Sequence, residues 1–231
     1  MRTLTLTSRL VLLLTLPLLG VTTFGIFGAW EKWQNTREYA RLRASNAVLG
    51  QIGELVHELQ KERGRSAVFV GSKGAKFAAE LPVQQQATDA THARLRELLA
   101  TFDARVFGAE FAGLFKRALA AIDELPAKRD TIRALRLTAP ESTTYFTSTI
   151  TALLDVIVDL SHHVSDAEIA NGISSYVSFI QAKEQTGIER AVLSGVFTAD
   201  KFAGESYQRF STALAAQQTY LRVFAGLATA A

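Results

Sequence analysis

Two arginines stand where helical spacing asks for core residues. Val56, Leu59 and Arg63 lie at i, i+3 and i+7, on the face of a helix that also carries Val48, Ile52 and Leu55. Far along the chain, Ile169, Ile173, Tyr176 and Ile180 step by four and three into Lys183, Gly187, Arg190, Ser194 and Phe197. Each stripe turns from apolar to cationic and small, with Gly64 beside Arg63 and Gly187 one turn before Arg190. A guanidinium is planar and donates two parallel hydrogen bonds, so two of them suit a small planar oxyanion held between helices. A buried charge also needs a partner. Two other outcomes therefore stay open: each arginine pairs with a carboxylate, with Glu62, Glu184 and Glu189 as candidates, or each reaches out to water along its apolar stem.

Other chemistry finds little support. Glu58 and Glu62 are acids at i, i+4, a spacing that solvation or arginine pairing explains better than acid–base catalysis. His162 and His163 are adjacent, so on a helix they point about 100° apart and do not clamp one ion. His57 is explained by a polar position in a bundle. No nucleophile–His–Asp set, phosphate-binding glycine loop or metal-ligand spacing occurs, and there is no cysteine. The expectation is a binding protein rather than an enzyme, with no cofactor and no metal. The net charge of the 231 residues is only +3, and two of the cations, Arg2 and Arg9, precede an apolar segment. The nearly balanced body has no basic stripe, which argues against a nucleic-acid partner.

The elements that must carry these arginines read as helices. Few prolines, 4, and abundant helix formers point away from an all-β chain. Residues 31–70 read as one helix, stopped by Gly71-Ser72-Lys73-Gly74. A second covers about 76–103, with Leu95, Leu98, Leu99 and Phe102 on its apolar face. A third carries Phe111, Leu114, Phe115, Ala118 and Ile122 and is ended or kinked by Pro126, with a short helical stretch to about Leu137. Thr138-Ala139-Pro140-Glu141 is a helix start, and the helix to about Val164 carries Tyr145, Ile150, Leu153, Leu154, Ile157 and Leu160. Ser165-Asp166 restarts the chain into a long helix of about 166–197, and a last helix follows Thr198-Ala199-Asp200 to about Leu227. The fold class is therefore all-α: antiparallel helix bundles of about six or seven helices after an N-terminal transmembrane helix.

That transmembrane assignment rests on residues 10–30, which carry no charge and are long enough to cross about 30 Å of hydrocarbon. Arg2 and Arg9 put residues 1–9 in the cytoplasm and residues 31–231 in the periplasm, anchored by one pass through the inner membrane. The chain ends at Ala231 without an output segment, so the output is expected in another chain or beyond this one.

The stretch Leu55-Val56-His57-Glu58-Leu59-Gln60-Lys61-Glu62-Arg63-Gly64-Arg65-Ser66-Ala67, with Thr88-Asp89 downstream, resembles the opening motif of the nitrate- and nitrite-sensing (NIT) domain. Lys183-Glu184-Gln185-Thr186-Gly187-Ile188-Glu189-Arg190-Ala191 is similar to the family's second motif. The resemblance spans about residues 50–228. It implies an all-helical fold of paired bundles, as found in chemoreceptors, sensor kinases, cyclic-dinucleotide enzymes and a nitrate-responsive antiterminator. It also implies nitrate or nitrite bound by one arginine from each motif. These fall on Arg63 and Arg190, with Gly64, Lys183 and Gly187 around them. Arg65 stands where the family is usually apolar and is a candidate partner for Glu62. The resulting expectation is a membrane-anchored, chemoreceptor-like periplasmic sensor, homodimeric, that passes a conformational signal to its membrane span. The alternative is a tethered helical interaction module without a ligand.

Overall fold

The computed structural model describes residues 6–163, 167–202 and 204–228. Within them, side chains are described except at 6–17, 31, 34–44, 167, 168, 195, 198 and 199. The described residues form seven α-helices and no strand: α1 (Leu6–Gly71), α2 (Glu80–Leu99), α3 (Ala109–Asp123), α4 (Leu125–Arg133), α5 (Ala139–Ser161), α6 (Ala167–Ala199) and α7 (Gly204–Ala228), with a 3-10 turn at Ala104–Phe107. The chain divides into two units, residues 1–44 and 45–231.

In the first unit, residues 18–30 are helical and exposed. The hydroxyls of Thr22 and Thr23 donate to the carbonyls of Leu18 and Leu19, at 2.9 and 2.6 Å. The membrane span expected over residues 10–30 is corrected here: among the described residues, no helix is long and apolar enough to cross a membrane. Within 18–30, Gly20, Thr22, Thr23, Gly25 and Gly28 lower the apolar content. The side chains of residues 10–17 lie outside the description, as do residues 1–5 of the expected N-terminus 1–9 and the expected restart at Ser165–Asp166. With the span go the inner-membrane, single-pass and periplasmic assignments that depended on it.

In the second unit, the apolar stripe of α1 is the axis of the core. Val48, Ile52, Leu55, Val56 and Leu59 are buried, and they join Phe111, Phe115 and Ile122 of α3 with Phe146, Ile150, Leu153 and Ile157 of α5 in one cluster. Helix α3 packs on α5, α5 on α6, and α6 on α7. Long-range hydrogen bonds tie the layers. Gln51 of α1 donates to the Thr91 carbonyl of α2 at 3.1 Å, and the Tyr145 hydroxyl of α5 donates to the Ala121 carbonyl of α3 at 2.9 Å. Burial pushes the Tyr145 phenol up to about 12, so it remains a donor.

Local chemistry sets the boundaries. Lys73, Gly74 and Phe77 all have positive φ, near 54°, 84° and 60°, so the chain cannot re-enter a helix at 76 and α2 begins at Glu80 instead. Pro126 neither ends nor kinks α3; it lies in the first turn of α4, where its missing N–H costs nothing. Thr138 and Glu141 close a capping box at the start of α5: the Glu141 carboxylate accepts from the Thr138 backbone at 2.7 Å, and the Thr138 hydroxyl accepts from the Glu141 N–H at 3.4 Å.

Candidate functional site

Two neighbours on α1 lock it to two different helices. Consecutive helical residues point about 100° apart, so Glu62 and Arg63 face separate partners, and both are almost fully buried. Arg63 faces α6. Its Nη1 donates to Glu184 Oε1 at 2.5 Å and its Nη2 to Oε2 at 3.2 Å, a forked pair with 3% of each side chain exposed. Nη1 also donates to the Thr147 hydroxyl of α5 at 2.9 Å, and Gln60 of α1 donates to Glu184 Oε2 at 2.8 Å. Glu62 faces α4, where Arg129 donates to both of its carboxylate oxygens, at 2.7 and 2.9 Å.

Arg129 also donates to Asp89 at 2.6 Å and to the Gln85 carbonyl at 3.3 Å. Burial works against its charge, but the bonds and charges of Glu62 and Asp89 outweigh it and hold the Arg129 pKa above the ordinary arginine value. Asp89 of the opening motif is thereby part of a structural ion-pair network, while the Thr88 hydroxyl donates to the Gln84 carbonyl of its own helix at 3.1 Å. Arg65 does not reach Glu62; it donates to Gln84, whose amide in turn donates to Glu58 at 2.6 Å.

The other expected site residues fall around Arg63 unevenly. A Cβ at Gly187 would stand 2.6 Å from Arg63 Nη2, so only glycine lets α6 pass this close to the guanidinium. Arg190, one helical turn further along α6, is exposed and makes no ion pair or hydrogen bond among the described residues. Lys183 is exposed and its ammonium donates to His57 Nδ1 at 2.9 Å. Burial first, then Lys183 and Lys61, hold the His57 imidazole below its ordinary value, which suits an acceptor. Gly64 is exposed with open space around it and does not touch the pair.

The α6 stripe keeps Ile173, Ile180 and Gly187 of the sequence reading but shifts by one residue between them, to Val177 and Glu184 in place of Tyr176 and Lys183. Ile173, Val177, Ile180, Glu184 and Gly187 face the core at steps of four, three, four and three. Tyr176 and Lys183 flank that seam. An alternating four–three pattern fits both phases, because the residues flanking a helical seam share its period.

Of the alternatives open in the sequence, Arg63 pairs with Glu184 and Arg190 reaches water. Arg129 was missed, although Leu125, Arg129 and Ile132 lie at steps of four and three with all three buried, the same signal that singled out Arg63. Gln60 and Thr147 had no such signal. Among the described residues, four buried side-chain atoms lack a hydrogen-bond partner: Ser66 Oγ, one turn beyond Arg63 on α1; Gln85 Nε2 on α2; Ser142 Oγ on α5; and Glu189 Oε1, next to Arg190.

The two buried forks among the described residues, Arg63 and Arg129, each hold a carboxylate. A cleft of about 470 Å³ between α2 and α4 exposes Asp89 and Asp130 beside Arg129 and Arg133, and its acids oppose an anion.

Comparison with known proteins agrees with the two motifs. The family model described as nitrate and nitrite sensing (NIT) matches residues 54–231. A nitrate regulatory protein of Klebsiella oxytoca is 30% identical over 190 residues, covering 81% of this chain and 47% of that protein. The structure of the NasR transcription antiterminator superposes with a TM-score of 0.79 at 28% identity, covering 87% of this chain and 55% of that one. The chain thus spans about half the length of these relatives. They correct two further expectations. The membrane-anchored, chemoreceptor-like reading is not supported, since the similar proteins are a nitrate regulatory protein and a transcription antiterminator and no described helix suits a span. The exclusion of nucleic-acid partners is also withdrawn: a balanced surface charge describes this domain and does not speak for proteins twice its length. With its second unit matched almost end to end and both motifs in place, the chain belongs to the nitrate- and nitrite-sensing (NIT) family.

Proposed function

We propose that this chain is the anion-sensing part of a regulatory protein, and that nitrate or nitrite binds where the Arg63 guanidinium of α1 meets α6 at Gly187, with Arg190 one turn further along α6 as the second arginine. One observation carries the reading: a buried, forked arginine lies against α6 at Gly187, and Arg190, one turn further along that helix, has no partner among the described residues. The buried pairs Arg63–Glu184 and Arg129–Glu62 are each neutral in sum. An entering anion brings a negative charge, which in this reading Arg190 balances. Nitrate is planar and weakly hydrated, which matches a guanidinium fork better than an ammonium. The domain does this work by binding, without catalysis.

The output is a change in how α6 sits on α1. Arg63 and Glu184 are a direct tie between the two helices, and α6 in turn carries α7. A ligand that interacts differently with the tied and untied arrangements shifts their balance, and only to the extent of that difference.

Thermal unfolding of the chain in sodium nitrate, nitrite, chloride and sulfate at equal ionic strength tests this. The midpoint is expected to rise with nitrate or nitrite beyond the common salt effect. The same midpoint in all four salts removes the proposal. It would favour a second reading, in which Arg63–Glu184 is a structural ion pair and the domain recognises a protein partner without a small ligand. The completeness of that pair is the observation on its side.

A further inference from the structure

Glu184 occupies the Arg63 fork in the manner of the ligand. Its two oxygens are planar about one carbon and accept from the two guanidinium nitrogens, while Gln60 adds a third donor to Oε2. Nitrate and nitrite present two oxygens about one nitrogen in the same plane. Arg63 has Thr147 on Nη1 and Glu184 on both Nη1 and Nη2. The α6 backbone passes close to Nη2 at Gly187, where a Cβ would stand 2.6 Å from it. An anion that takes this end of the guanidinium therefore does so by exchange with the carboxylate.

Resting on the anion-sensing reading above, we infer that Glu184 is an intramolecular competitor that sets both the affinity and the selectivity of the site. A tethered group acts at an effective concentration in the millimolar range or above, so the free anion must outcompete it, and binding responds only to anion at comparable levels. The exchange also fixes shape. A planar monoanion replaces a carboxylate like for like, whereas tetrahedral sulfate carries twice the charge and the wrong geometry for one fork. Displacement of Glu184 breaks the tie to Gln60 as well, so ligand entry releases three of the bonds that hold α6 on α1. Arg190, exposed on the next turn, is then free to meet the anion from the α6 side. Glu184 is thus a specificity residue that acts by leaving.

The test compares calorimetric titration of the wild-type chain, Glu184→Gln and Glu184→Asp with sodium nitrate, with sodium sulfate as control. Removing the competing charge is expected to tighten nitrate binding by at least about tenfold in Glu184→Gln. Glu184→Asp, which keeps the charge on a shorter arm, is expected to fall between. Nitrate binding in the wild type with equal or weaker binding in both variants overturns the competitor role and leaves the sensing reading standing. Absence of binding in all three overturns both. Should Glu184→Gln fold poorly, Glu184→Ala supplies a second measurement. Sodium formate or nitrate is expected to raise its unfolding midpoint by several degrees by filling the vacated place, and sodium sulfate is not. No difference among the three salts counts against the inference.

Discussion

The α6 backbone at Gly187 runs directly against the Arg63 guanidinium, so close that a Cβ there would stand 2.6 Å from Nη2. The Gly187→Ala variant sets two effects against each other. Alanine gains about 1 kcal/mol of helix propensity, while overpacking a site whose arginine is pinned by Glu184 and Thr147 costs about 1–3 kcal/mol. The expected net is a loss of about 1 kcal/mol in urea unfolding, with weaker nitrate binding. Unchanged stability and affinity would show that the guanidinium is not held against α6.

Arg190 separates binding from folding. It is exposed and unpaired among the described residues, so Arg190→Ala should leave stability within about 0.5 kcal/mol. Loss of a charge-assisted bond to an anion is worth about 1.5–3 kcal/mol, so nitrate affinity should fall by at least about tenfold. Parallel denaturation and titration check both halves.

Arg129 is the structural counterpart. Arg129→Ala leaves the fully buried Glu62 carboxylate without its partner, and breaking such a pair costs about 3–5 kcal/mol. Adding Glu62→Leu to Arg129→Met removes both charges and should recover most of the loss. Chemical denaturation of the three variants decides; equal stability of the single and double variants would contradict the pairing.

Acid should weaken the fold through its histidines. Burial holds His57 below 6.5, with Lys183 and Lys61 adding to it, and burial with Arg96 does the same for His92. The unfolded chain then binds these protons more readily than the folded one. Their contribution is intact above the unfolded value of 6.5 and is lost as the pH falls through it toward the folded values. Glu58 belongs to a separate window. Burial opposes its charge, but bonds from Lys61 and Gln84 outweigh that and keep it below 4.5, so its contribution fades only under stronger acid. The unfolding midpoint is expected to drop between about pH 7 and about pH 5.5, and the His57→Asn, His92→Asn double variant should flatten that drop.

Much of the scaffold was legible in the sequence, because an apolar stripe repeating at four and three specifies a helix and its inward face together. Val48, Ile52, Leu55 and Leu59 illustrate this on α1, and Phe111, Phe115 and Ile122 on α3. Turn geometry was less legible: nothing in Lys73 or Phe77 announces a left-handed backbone, and it is this that delays α2. On α6 the stripe was ambiguous by one residue, which hid Glu184 in the seam and put Lys183 there instead. Arg63 could be read because it extends an unambiguous stripe; its partner could only be one of three acids, since pairing across 121 residues leaves no mark in local spacing. The apolar run at 10–30 was read as a span from its lack of charge, whereas among the described residues no helix is long and apolar enough to cross a membrane.

Arg63 carries the central claim, and Arg63→Lys tests it most directly, since lysine keeps the charge and removes the fork. Calorimetric titration with sodium nitrate, run beside circular dichroism on the same samples, should give saturable one-site binding for the wild-type chain. Affinity in the variant should be more than roughly tenfold weaker at unchanged helicity. Equal affinity in the two proteins, or no nitrate heat in the wild type, would contradict the account.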